Sequence, residues 1–209
     1  MKQVDKEHYY FNAYVDKKRW MSFWYQFNEI LSLNPVSILE IGPGPGLFKG
    51  LAELFYFEIE TLDIDPDLDP DYVASATDIP LADRSFDCIC AFQVLEHLPY
   101  KQSLKAVGEM SRIARKNVVI SLPDALVPWV YALHVPKIGQ KIIHIPKPRL
   151  RLPNREFNGE HYWEINSRGY PLHKIIEDFS QFDIDLIRTY KAKENPYHRF
   201  FIFSKEFSE

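Results

Sequence analysis

The apolar positions of this chain follow two periods, and where one gives way to the other the secondary structure can be read. Trp20, Phe23, Trp24, Phe27, Ile30 and Leu31 recur at steps of three and four, which predicts an amphipathic helix stopped by Asn34-Pro35. Val36 to Ile41 is a continuous apolar run of buried-strand length, and Leu47, Leu51, Leu54 and Phe55 return to helical spacing. Further strands are expected at Glu58 to Leu62, Phe86 to Phe92 and Asn117 to Leu122. Helices are expected from Ser103 to Arg115, with Leu104, Val107 and Ile113 inward, and near Leu172 to Ser180. Between Asp63 and the apolar patch Tyr72 to Ala74 there is no room for the ten or more residues of a crossover helix, so that helix is reduced to a turn. The chain closes with Ile184 to Tyr190 and Arg199 to Ser204, which the short link Glu194-Asn195-Pro196 makes antiparallel neighbours.

Between the first strand and its helix stand Gly42, Gly44 and Gly46, separated by Pro43 and Pro45. Glycine at such a place permits positive φ, or a ligand lying against the backbone. A turn at the carboxyl end of the first parallel strand is where open α/β sheets bind ligands. A dinucleotide fingerprint spaces its glycines differently and offers free amides to a pyrophosphate, whereas two residues here have no amide hydrogen. Glu40, just before the turn, also favours a cation over a phosphate. These features suit a ligand with an adenosine, a positive centre and no phosphate, and S-adenosylmethionine is the common one.

Two acidic points lie downstream. Asp63 falls about twenty residues beyond the glycines, the separation at which an acidic side chain ending the second strand accepts from ribose hydroxyls, and Asp65 competes for that role. Asp78 stands where it either accepts from an adenine amino group, with the Ile79 amide meeting a ring nitrogen, or simply forms a surface turn.

Composition changes the picture little. The chain has 209 residues and a formal charge of −4, so it is large enough for one substantial domain and is not a whole-chain nucleic-acid binder. Cys88 and Cys90 alternate on a strand and point to one face. They read as reduced core residues, too few for a structural zinc site, and no metal is expected. No hydrophobic signal core or membrane-length run occurs, and the expected location is cytoplasmic.

From Ala125 to Arg155 the character shifts. No acidic residue occurs there, while Lys137, Lys141, Lys147, Arg149, Arg151 and Arg155 are interleaved with prolines, Trp129, Tyr131 and Ile142 to Ile145. So many prolines argue against one regular element. A basic apolar cap of this kind is suited to cover a site, to bind an anionic or lipid-like acceptor, or to touch a membrane surface, and equally to be a solvated loop. Asn158-Gly159-Glu160-His161-Tyr162-Trp163-Glu164 follows, rich in polar and aromatic groups. His161, with Tyr162 and Trp163 as substrate contacts, and His97 are the candidate proton acceptors. Tyr9, Tyr10 and Tyr14 either pack with the first helix or close over a ligand.

Four motifs, taken in order, resemble the class I S-adenosylmethionine-dependent methyltransferases, most closely the small-molecule, type 11-like branch. They are Ile-Leu-Glu-Ile-Gly-Pro-Gly-Pro-Gly at 38 to 46, Leu-Asp-Ile-Asp-Pro at 62 to 66, Ala-Thr-Asp-Ile-Pro-Leu at 76 to 81, and Ser85 to Leu98. The resemblance implies a Rossmann-like α/β sandwich with a seven-stranded, mostly parallel sheet in the order 3-2-1-4-5-7-6, its last strand antiparallel. It implies S-adenosyl-L-methionine as cofactor, with Glu40 and the three glycines on the methionine part. Asp63 would hold the ribose and Asp78 with Ile79 the adenine, while Phe92 and Gln93 would face the amino-acid end. The implied reaction is methyl transfer to a small-molecule acceptor, with no nucleic-acid partner. The alternative is a non-enzymatic cofactor-binding module that meets a partner or membrane through 125 to 155. The expected organisation is a single domain over 1 to 209, comprising an aromatic helix (1 to 35), a cofactor core (36 to 123), a basic cap (124 to 163) and a closing helix with a strand pair (164 to 209).

Overall fold

The computed structural model describes residues 15–149, 151–154, 157 and 159–205. Its centre is a seven-stranded sheet, β1 (Ile38–Ile41), β2 (Ile59–Asp63), β3 (Tyr72–Val73), β4 (Phe86–Phe92), β5 (Ala114–Pro123), β8 (Asp185–Lys191) and β9 (His198–Ser204). The spatial order is β3-β2-β1-β4-β5-β9-β8, as expected. β1 pairs in parallel with β2 and β4, and β5 in parallel with β4, whereas β9 runs antiparallel between β5 and β8. β1 and β4 are buried along their whole length, as central parallel strands covered on both faces must be.

Period-two alternation sorts the two faces. Leu39, Ile41, Leu62, Ile89, Ala91, Val118 and Ile120 pack with α3 (Tyr100–Ile113) and α4 (Leu172–Phe179). Ile38, Cys88, Cys90 and Val119 meet α1 (Lys17–Leu33) and α2 (Leu47–Glu53) on the other face. Both cysteines are buried free thiols on one face, and burial pushes the Cys88 thiol up to about 12. α3 begins a turn earlier than the apolar spacing suggests, because Pro99 starts it and its carbonyl accepts from Ser103 N at 3.1 Å. The missing crossover helix is a single 3₁₀ turn, Pro66–Leu68, capped by Asp65.

Two expectations need correction. In α1 the expected stripe is buried only in part: Phe23 and Ile30 are buried and Phe27 packs against the core, but Trp20 and Trp24 are 45% and 54% exposed, and Ser22, Tyr25, Gln26 and Glu29 share the buried face. The helix turns this face inward where two of its polar groups find partners. Glu29 accepts from Tyr190 Oη at 2.6 Å and pairs with Arg188, and Ser22 Oγ accepts from Asn195 at 3.1 Å. The proline-rich insertion, in turn, is not irregular throughout: β6 (Trp129–Val135) and β7 (Gly139–Ile145) form a separate antiparallel hairpin, with the prolines outside the paired segments.

The base of the insertion is fastened by a buried carboxylate. Asp124 accepts from Arg199 Nε at 2.9 Å and from Asn166 Nδ2 at 3.1 Å, and Lys191 Nζ lies 3.0 Å away. Backbone bonds from Tyr162 N to Glu96 O (2.9 Å) and from Ile165 N to Pro123 O (3.0 Å) then draw 162–165 across the carboxyl ends of β4 and β5. Among the described residues no helix is long and apolar enough to cross a membrane.

Candidate active site

The turn after β1 takes left-handed backbone at each glycine, with φ of 69° at Gly42, 55° at Gly44 and 71° at Gly46. Gly42 is constrained twice, since a Cβ there would stand 2.6 Å from Val94 Cγ2 and its amide already donates to Leu62 O at 2.9 Å. Gly46 has open space around it and serves the left-handed start of α2.

Beside this turn, at the carboxyl ends of β1, β2 and β4, lies a cleft of about 410 Å³. Gly42 and Gly44 form its floor, Asp63 to Asp65 and Ala74 to Ala76 one side, and Phe92 to Val94 with Glu96 to Pro99 the other. Glu160, His161, Tyr162, Tyr197 and Arg19 close the far end. Asp63 is half-buried, and its Oδ1 accepts from Asp65 N at 2.8 Å. Burial raises its pKa, and the backbone bonds from Asp65 and Ile64 oppose that rise.

A smaller space of about 30 Å³ lies behind the turn, lined by Gln26, Glu40, Gly42, Gln93 and His198 among others. Three of its buried polar atoms, Gln26 Oε1, Glu40 Oε2 and His198 Nδ1, have no hydrogen-bond partner among the described residues. Burial pushes the Glu40 carboxyl up to about 8, against the pull of Lys49. Burial likewise pushes the His198 imidazole down to about 3. Buried polar atoms left this way are costly unless something pairs them.

At the far end, His97 Nδ1 lies 2.9 Å from Glu160 O. A carbonyl only accepts, so that nitrogen carries the proton. His161 Nδ1 lies 3.1 Å from Glu164 Oε1, which also accepts from Tyr197 Oη at 2.9 Å. The two imidazoles meet edge to face at 4.9 Å. Burial lowers the His161 pKa, but the bond to Glu164 and the charges of Glu96, Glu164 and Glu160 outweigh it, and the net shift is upward.

Of the residues singled out from the sequence, the cleft gathers Gly42, Gly44, Asp63, Phe92, Gln93, His97, His161 and Tyr162. Glu40 reaches the smaller space behind it. Asp78 and Ile79 do not line the cleft, and the Ile79 amide is spent on Glu109 Oε2 at 2.8 Å, so Ser75 and Ala76 form that edge instead. Trp163 is a core residue: it is fully buried, and its Nε1 donates to Ser103 Oγ at 3.0 Å. Tyr9 and Tyr14 lie outside the described residues. Arg19, Glu96 and Tyr197 reach the cleft without having been singled out. Of these only Glu96 had a visible signal, as the neighbour of His97. No hairpin residue lines the cleft; among the described residues the insertion reaches it through 160–162.

Residues 39–122 match a family model described as a methyltransferase domain. No curated protein matches the chain. Solved structures match closely in shape and weakly in sequence. An S-adenosylmethionine-dependent methyltransferase from Aquifex aeolicus is 14% identical at a TM-score of 0.60, covering 97% of this chain and 100% of its own. The 1,6-didemethyltoxoflavin-N1-methyltransferase of Burkholderia thailandensis is 10% identical at 0.61, covering 90% and 79%. The magnesium protoporphyrin IX methyltransferase of Synechocystis PCC 6803 is 10% identical at 0.60, covering 97% and 90%. The family match is confined to residues 39–122, whereas the likeness to these structures is one of fold and extends over most of the chain.

Proposed function

We propose that the cleft binds S-adenosylmethionine and that the protein transfers the cofactor's methyl group to a small-molecule acceptor. The observation that carries this reading is the set of unsatisfied buried atoms behind the glycine turn. Gln26 Oε1, Glu40 Oε2 and His198 Nδ1 converge where an amino-acid end would bring an ammonium and a carboxylate. Asp63 stands at the other side of the same floor, placed to accept from ribose hydroxyls. Ser75 and Ala76 border the adenine end, and Phe92 and Gln93 line both spaces. Of the structures similar in fold, the 1,6-didemethyltoxoflavin-N1-methyltransferase holds S-adenosylhomocysteine and the magnesium protoporphyrin IX methyltransferase holds S-adenosylmethionine.

When bound, the cofactor supplies an electrophilic methyl group on a sulfonium. The chain's part is to hold the acceptor in line with it and to keep water out, which is where most of the rate in such a displacement arises. An oxygen or nitrogen acceptor must also lose a proton. His97 and His161 are the groups that take it, each held at Nδ1 by a neighbouring acceptor. The acceptor belongs at the end lined by His97, His161, Tyr162 and Tyr197. An anionic or lipid-like acceptor fits the uniformly basic insertion, whose hairpin exposes Trp129, Tyr131, Leu133, Ile143 and Ile145. The same surface suits peripheral contact with an anionic membrane.

Calorimetry with S-adenosylmethionine, S-adenosylhomocysteine and NAD tests the reading. The two adenosyl ligands should bind and NAD should not, and the reverse pattern would overturn it. Asp63→Ala should weaken S-adenosylhomocysteine by about 10–100-fold, the worth of hydrogen bonds to a charged group. Unchanged affinity would move the ribose role to Asp65. A metabolite screen for methyl transfer then identifies the acceptor.

A further inference from the structure

Glu96 sits in the short turn Leu95–His97 that follows β4, and its side chain is wholly buried at the edge of the cleft. Neither carboxylate oxygen has a hydrogen-bond partner among the described residues. A buried carboxyl with both oxygens unanswered is a costly feature. It calls for a partner on the cleft side.

Two imidazoles face the same point. One donor atom from each of Glu96, His97 and His161 lies within 4.8 Å of the others. Each histidine is held at Nδ1 by a backbone carbonyl or a carboxylate, at Glu160 and Glu164 respectively. That arrangement fixes the orientation of each ring. It is the outer-shell pattern found behind histidine ligands of metals, and here Tyr197 steadies Glu164 in turn. Donors on one zinc ion at about 2.0–2.2 Å stand roughly 3.4 Å apart, so side-chain rotations of about an ångström close the set. One carboxylate and two imidazoles suit a zinc-class transition-metal dication, not magnesium or calcium, which take oxygen ligands. Three protein ligands at a cleft leave a coordination position open to a substrate, as catalytic sites do.

We infer that Glu96, His97 and His161 form a site for one zinc-class divalent cation at the acceptor end of the cleft. Metal binding itself does not depend on methyl transfer. Its use rests on the proposed function: the ion would hold an acceptor oxygen or nitrogen beside the methyl group. In the metal-loaded protein the two imidazoles are ligands, not proton acceptors.

The experiment is a zinc titration of the chelator-stripped full chain against a chromogenic competitor, with Co²⁺ absorption as a readout of coordination. The expected result is one equivalent bound and a Co²⁺ spectrum of low coordination number. His97→Asn, at a partly exposed position, and Glu96→Gln should each weaken zinc by ~100-fold or more, and Glu164→Gln, an outer-shell change, by about 10–100-fold. Circular dichroism of each variant checks that it folds. Absent zinc binding, or wild-type affinity in a folded His97→Asn, overturns the inference. S-adenosylhomocysteine is titrated on the same samples. Its binding without zinc sinks the metal site alone, and zinc binding without it sinks the proposed cofactor alone.

Discussion

A methyl group added to Gly42 would stand 2.6 Å from Val94 Cγ2, so the first glycine of the turn is held by the β4 side of the cleft as much as by any ligand. Gly42→Ala should therefore destabilise the protein by about 3 kcal/mol, combining ~1–2 for a left-handed alanine with ~1–3 for overpacking. In a Val94→Ala background the added cost should shrink to the left-handed share alone. Denaturant unfolding of the four proteins in this cycle decides it. Equal costs of Gly42→Ala in both backgrounds would show that the contact does not matter.

Glu40 makes stability depend on pH with a definite sign. Its folded carboxyl titrates at about 8 against an ordinary 4.5, so between these values the folded state holds a proton that the unfolded state has lost. Stability should fall as pH rises from about 4.5 to about 8 and level off above, with a total on the order of a few kcal/mol. Glu40→Gln removes this contribution, so its stability relative to wild type should grow over the same window. Parallel curves for the two proteins across that range would contradict the assignment.

Asp124 holds the insertion to the sheet through Arg199, Lys191 and Asn166 while itself fully buried. Asp124→Asn leaves two cations without their anion and should cost about 3–5 kcal/mol. Hydrogen exchange should show the loss first in residues 162–165, whose backbone bonds to Glu96 and Pro123 depend on that anchorage. Unchanged protection there would separate the ion cluster from the positioning of His161.

Several features of the fold were legible because they are local. The apolar run before Gly42, the full apolar stretch Phe86 to Phe92 and the short link at Asn195-Pro196 each declare an element within a few residues, and each element formed. The hairpin at 129–145 was not legible, since its paired residues are exposed on both strands and carry no single buried face to set a clear period-two pattern. In α1 the apolar stripe misled at Trp20 and Trp24 for a related reason. Hydrophobic periodicity records which side chains avoid water on average, whereas Glu29 and Ser22 are drawn inward by Arg188, Tyr190 and Asn195, more than 150 residues away.

The cleft divides along the same line. By itself the sequence determined the glycine turn, the acidic residue ending β2 and the end of β4, because backbone conformation and strand length are short-range properties and parallel strands bring their carboxyl ends to one edge. Only the tertiary structure decided that Trp163 is core while its neighbours His161 and Tyr162 face the cleft. It also decided that Glu109 takes the Ile79 amide, and that Glu96, Arg19 and Tyr197 arrive at one end of the cleft. Such meetings join segments far apart in the chain, and the burial that makes each polar partner matter exists only once the sheet and its helices have closed around them.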